Sequence, residues 1–126
     1  MTNYGDYYYC EECGHVVSVI VPGAPTLTCC GQDMILLEAK TEDTGKEKHV
    51  PVVIPNGDTT VVKLGSVPHP MTGEHHIDFI EVITSDGKHG RAKLDPAGAP
   101  EAEFNLKAED ITAVYAYCNL HGLWTA

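Results

Sequence analysis

Ile111-Thr112-Ala113-Val114-Tyr115-Ala116-Tyr117-Cys118-Asn119-Leu120-His121-Gly122 decides how the rest of the chain is read. Ile111, Ala113, Tyr115 and Tyr117 alternate with Thr112, Val114, Ala116 and Cys118, the two-residue period of a β-strand. β-branched and aromatic side chains fit that pleated, half-buried surface. The strand ends at Cys118, and His121 follows three positions later. C-x2-H on one turn can present a sulfur and an imidazole to a single ion.

Outward from this stretch the chain keeps the same character. Residues 50–54, 59–64 and 77–84 are rich in β-branched and aromatic residues and read as further strands. Asn56-Gly57 and Asp86-Gly87 are strong hairpin dipeptides. Residues 95–101 (DPAGAPE) hold two prolines and a glycine, which excludes regular structure there. No window supports a long amphipathic helix, and a short turn is expected near 107–110. The fold class is therefore all-β, with a small β-sandwich over residues 38–126. Residues 38–45 (EAKTEDTG) are polar, without apolar period, and read as a linker. Residues 1–37 form a second, smaller β-domain. A segment below about 40 residues cannot fold on hydrophobic burial alone, so a metal is expected to staple it.

Composition narrows the function. With Lys+Arg 8 against Asp+Glu 18, the formal charge is -10. That excludes nucleic acid as a partner, since its phosphates select basic surfaces. No apolar run approaches the roughly 18 residues of a spanning helix, so no membrane role is expected. The polar N-terminus lacks the pattern of a signal peptide, and a cytoplasmic location is the expectation. The cysteine count is five, an odd number, which disfavours a secreted disulfide scaffold.

Four cysteines lie in the first segment: Cys10-x2-Cys13, then fifteen residues, then Cys29-Cys30. C-x2-C converges two thiolates on one metal, and four thiolates suit a tetrahedral iron or zinc ion. Gly14 and Gly31 follow the two pairs and permit tight turns. Two disulfides are a weaker reading in a reducing compartment. A zinc ribbon would repeat C-x2-C, whereas the second pair here is vicinal. The spacing alone leaves iron and zinc level.

The second constellation is His49, His69, His75, Cys118 and His121. His69 lies between Pro68 and Pro70, which restrict the backbone on both sides. Each histidine taken singly reads as a surface residue; five donors in one small domain read as a site. A structural zinc site would close with four ligands. Five leave one octahedral position open to a small molecule, and a thiolate donates electron density to the metal, which favours iron. His15, His76 and His89 are left outside the set, with His89 placed in the 86–90 turn. His76 adjoins His75, and in an extended segment only one of two neighbours can face the metal.

Together these motifs resemble desulfoferrodoxin, the two-iron superoxide reductase family, over essentially the whole chain. The pieces are Cys10-x2-Cys13-x15-Cys29-Cys30, E-K-H-V-P at 47–51, G-S-V-P-H-P-M at 65–71 with His75, and C-N-L-H-G at 118–122. The resemblance implies a desulforedoxin-like, rubredoxin-like domain at 1–37 with one iron on four cysteines. It implies an immunoglobulin-like sandwich at 38–126 whose iron has His49, His69, His75 and His121 equatorial and Cys118 axial. It also implies a homodimer with rubredoxin as electron donor. One departure is His76, where the family commonly carries a bulky aromatic.

The implied reaction is one-electron reduction of superoxide to hydrogen peroxide. Lys48 would draw in the anion and order a protonating water, and Glu47 would take the open position after product leaves. Read from sequence alone, the two are an ordinary exposed charge pair. The alternatives are a rubredoxin-like electron carrier without a small-molecule substrate, a zinc-stapled binding module, and a dismutase.

Overall fold

A computed structural model describes residues 2–41, 49–65 and 69–126. The chain divides into two compact units, Met1–Glu38 and Ala39–Ala126. In the first, β1 (Tyr7–Tyr9) is the middle strand of a sheet, between β2 (Val16–Ser18) and β5 (Ile35–Leu36). β3 (Thr28–Cys29) and β4 (Gln32–Asp33) form a separate two-stranded hairpin. The core of this unit is Tyr8, Cys10, Val19 and Met34. Four side chains bury too little apolar surface to offset the ordering of some thirty-seven residues at about 1–2 kcal/mol each. One of the four is itself a thiol of the first cysteine cluster, so core and cluster are continuous.

The second unit is an immunoglobulin-like sandwich with seven strands among the described residues. β6 (Pro51–Asn56), β7 (Thr59–Leu64) and β10 (Glu101–Phe104) form one sheet, in the order β10-β7-β6. β8 (Ile77–Thr84), β9 (His89–Lys93), β11 (Ile111–Cys118) and β12 (Gly122–Thr125) form the other, in the order β12-β11-β8-β9. The pairings between these strands are antiparallel. Val62, Leu64 and Phe104 from the first sheet meet Ile77, Ile80, Val82, Val114 and Ala116 from the second, all buried. The alternation in β11 resolves with Val114, Ala116 and Cys118 inward, so the cysteine is the last inward position of a core strand.

The pairing of β8 with β11 slips by one residue at that end: Tyr117 faces Phe79, but Cys118 faces Ile77. Asp78 is the extra residue, a bulge of the kind that re-aims a strand beside a site. Asn56 and Thr59 close a two-residue loop, with Gly57 at φ 67 supplying the left-handed conformation the hairpin requires. A single 3-10 turn spans Ala108–Asp110.

In the sandwich three strands escape the sequence reading: β9, β10 and β12. β9 does alternate, but its inward residues are Gly90 and Ala92, too small to register as an apolar face. His89, Arg91 and Lys93 take the other face, where Arg91 and His89 meet the fully buried Glu81 of β8. His89 therefore begins a strand rather than lying in the 86–90 turn. Glu101, expected in an irregular stretch, opens β10. Lys40, expected in the linker, bridges to Trp124: its amide donates to Leu123 O at 2.9 Å, and its carbonyl accepts from Thr125 N at 2.9 Å. Residues 42–45 of the expected linker lie outside the described residues. Among the described residues no helix is long and apolar enough to cross a membrane.

Candidate metal centres

Cys10 leaves β1 and enters a tight turn in which Gly14 N donates to Cys10 O at 2.8 Å, with Gly14 at φ 81. The turn returns Cys13 beside Cys10. The vicinal pair needs a different device, because neighbouring side chains in extended backbone point apart. Cys30 adopts φ 53, a left-handed conformation costing a non-glycine residue about 1–2 kcal/mol. Its Sγ thereby lies 3.8 Å from that of Cys29. Cys13 Sγ is 3.5 Å from Cys29 Sγ, and all four sulfurs lie within 4.8 Å of one another. Metal–sulfur bonds of about 2.3 Å in a tetrahedron give sulfur–sulfur edges of about 3.8 Å, so the spacing suits one ion.

The electrostatics agree. Hydrogen bonding from the Cys13 amide, opposed by burial, lowers the Cys10 thiol to about 7. Cys29, hydrogen-bonded to Cys13, Cys10 and Cys30 in turn, is pushed up to about 12. Such crowded thiols share protons that a cation would displace. His15, set aside in the sequence, places Nδ1 2.9 Å from Cys13 Sγ.

In the sandwich, His49 precedes β6, His69 and His75 lie on the segment leading to β8, and Cys118 and His121 flank the turn from β11 to β12. The structure brings all five together, with their donor atoms within 4.8 Å of one another. The four imidazoles form a closed square. Ring centroids are 4.6 Å apart for His49–His69, 4.6 Å for His69–His75, 4.9 Å for His75–His121 and 4.8 Å for His121–His49, with interplanar angles of 69–80°. The His49–His75 diagonal is 6.3 Å, near √2 times the side. His49 Nε2 and His121 Nδ1 are 3.0 Å apart. Two metal–nitrogen bonds of about 2.1 Å at a right angle would set that same distance. Cys118 Sγ lies 3.7 Å from His121 Nδ1 and is the fifth donor.

His69 gives the sharpest test of fit. Its Nδ1 is 2.7 Å from Pro70 O, so Nδ1–H donates there and fixes the tautomer with the Nε2 lone pair directed into the cluster. That buried Nε2 has no hydrogen-bond partner. Burial, against the donation to Pro70, holds the ring down at about 4, so it is neutral and ready to ligate near pH 7. Burial also pushes the Cys118 thiol up, while the Leu120 and His121 amides favour the thiolate. A buried sulfur of this kind needs a cation beside it to carry its charge.

Comparison with known proteins decides the family. The desulfoferrodoxin family model matches residues 41–126, and that of the desulfoferrodoxin N-terminal domain matches residues 2–37. The chain belongs to the desulfoferrodoxin family. It is 49% identical to the desulfoferrodoxin homolog of Archaeoglobus fulgidus over 98% of each chain. To that of Methanothermobacter thermautotrophicus it is 48% identical, over 98% of this chain and 99% of the relative. The crystal structure of the superoxide reductase from Treponema pallidum superposes with a TM-score of 0.80 at 32% identity, covering 96% of each chain. The two donor sets of this chain fit two irons, one for four thiolates and one for four imidazoles and a thiolate.

Several supporting residues carry no signature in the sequence. Asn119 clamps the His75 segment: its Oδ1 accepts from His76 N at 2.9 Å, its Nδ2 donates to Glu74 O at 2.9 Å, and its amide donates to His76 O at 3.1 Å. His76 faces away from the cluster, with Nδ1 2.8 Å from Thr72 O and Nε2 3.1 Å from Asp78 Oδ1. It thus spans from the His75 turn to the β8 bulge. Trp124 stacks on His49 at 4.6 Å and 15°. Glu47 and Lys48 lie outside the described residues.

Proposed function

We propose that the chain is a superoxide reductase in which superoxide, one electron and two protons give hydrogen peroxide. The observation that carries this is the square of four imidazoles with a single thiolate as fifth donor. Five donors leave an octahedral ion one position for substrate. An iron ion bound there would supply the electron; His49, His69, His75 and His121 would hold it through their ring nitrogens, and Cys118 would hold it through its sulfur and donate charge. Cys10, Cys13, Cys29 and Cys30 hold the other iron within residues 1–37, and residues 38–126 form the reductase domain.

Lys48 attracts the anion and orders the water that delivers a proton. Glu47 would take the position left open by the five donors once product has gone. Lys48 adjoins His49 in the chain and Glu47 stands two positions before it, which supports these roles. Rubredoxin or a similar small redox protein is the donor, the working form is a homodimer, and the compartment is the cytoplasm, where unbridged cysteine clusters persist.

Azide binding separates this reading from a plain electron carrier, whose metal is closed. Azide should perturb the spectrum of the histidine-ligated iron and leave that of the four-cysteine iron unchanged. An unresponsive histidine-ligated iron would favour the carrier.

A further inference from the structure

Lys40 lies at the edge of the five-donor cluster and is the cation whose contacts join two of its corners. Its Nζ donates to the carbonyl oxygen of His121 at 2.9 Å. The same ammonium stands 5.1 Å from the centre of the Trp124 ring, within cation–π range. Trp124 in turn stacks on His49 at 4.6 Å. His49 and His121 are adjacent corners of the imidazole square. The backbone of Lys40 is held separately, by the bridge to β12. The side chain is therefore set in place by strand pairing that its own substitution leaves untouched.

We propose that Lys40 is a positioning residue that holds the His121 and His49 corners and raises the reduction potential of the iron bound there. This rests on the reading of the cluster as an iron site. A fixed positive charge destabilises a ferric centre more than a ferrous one, because the ferric centre carries one more unit of charge. Lys40 is exposed, so solvent and salt screen its field, and the effect is greatest at low ionic strength.

The test uses the full-length protein loaded with both irons, as wild type, K40Q and K40R. Redox titration at low ionic strength should give K40Q a lower potential for the histidine-ligated iron, with K40R close to wild type. The four-cysteine iron should be unmoved in all three, an internal control for folding and loading. Raising the salt should narrow the gap between wild type and K40Q. The chain has a single tryptophan. Its emission should move to longer wavelength in K40Q as the covering ammonium is lost, whatever metal is bound. Equal potentials in wild type and K40Q at low salt would overturn the proposal. Failure of the underlying site reading would look different: wild type itself would then lack a second redox-active iron.

Discussion

His69 shows how one residue becomes a ligand. Prolines flank it in the chain, the Pro70 carbonyl accepts a hydrogen bond from its Nδ1–H, and burial keeps the ring neutral. The prolines are visible in the sequence, whereas the hydrogen bond and the burial appear only in the fold. The five donors of the cluster were legible because cysteine and histidine in that order have few other uses together. Asn119, Trp124 and Lys40 were not, because a clamp, a stack and a carbonyl contact carry no spacing rule. For Lys48→Ala we expect superoxide capture to slow by about tenfold at low salt, with a weaker dependence on ionic strength. Stopped-flow rates across a salt series measure this; rates equal to wild type at every ionic strength would remove Lys48 from the mechanism. Asp86 gives a pH-dependent case. Hydrogen bonding from the Thr84 hydroxyl, aided by Lys88, lowers its carboxyl below the ordinary 3.8. The stability it contributes is present above that value and is lost as the pH falls through the lowered one. Urea midpoints should therefore place Asp86→Asn below wild type at pH 7, with the difference narrowing below about pH 4.

At the scale of the element, the long strands are legible because they are rich in β-branched and aromatic residues. β9 was missed because Gly90 and Ala92 face the core, and β12 because four residues give no period. The small size of Gly90 is structural: a Cβ there would meet Val82 Cγ2 at 3.2 Å and Phe104 Cδ1 at 3.3 Å. Gly90→Ala should destabilise the sandwich by about 1–2 kcal/mol through overpacking between β9 and β10. Chemical denaturation tests this, and an unchanged midpoint would show that Phe104 yields freely. The β8 bulge at Asp78 was equally hidden, since a register slip leaves the composition of both strands unchanged.

For the whole molecule, among the described residues each unit carries its own cluster of metal-donor side chains, and neither cluster includes a donor from the other unit. The all-β class was legible from the strands of the sandwich and from a first segment too short to fold unaided. The assignment of iron rather than zinc was not legible from four thiolates; the open five-donor set and the family carry it. Independent sites predict that Cys13→Ser loses the four-cysteine iron yet still reduces superoxide when a chemical reductant is supplied. Metal analysis and turnover on the same sample check this, and loss of turnover in a folded variant that keeps its histidine-ligated iron would contradict it.

The central claim is tested most directly by product stoichiometry. Reduced, iron-loaded protein is mixed with superoxide, and peroxide and dioxygen are counted. The account predicts one hydrogen peroxide per superoxide consumed and no dioxygen. Half a peroxide per superoxide, with dioxygen evolved, would contradict it and mark a dismutase.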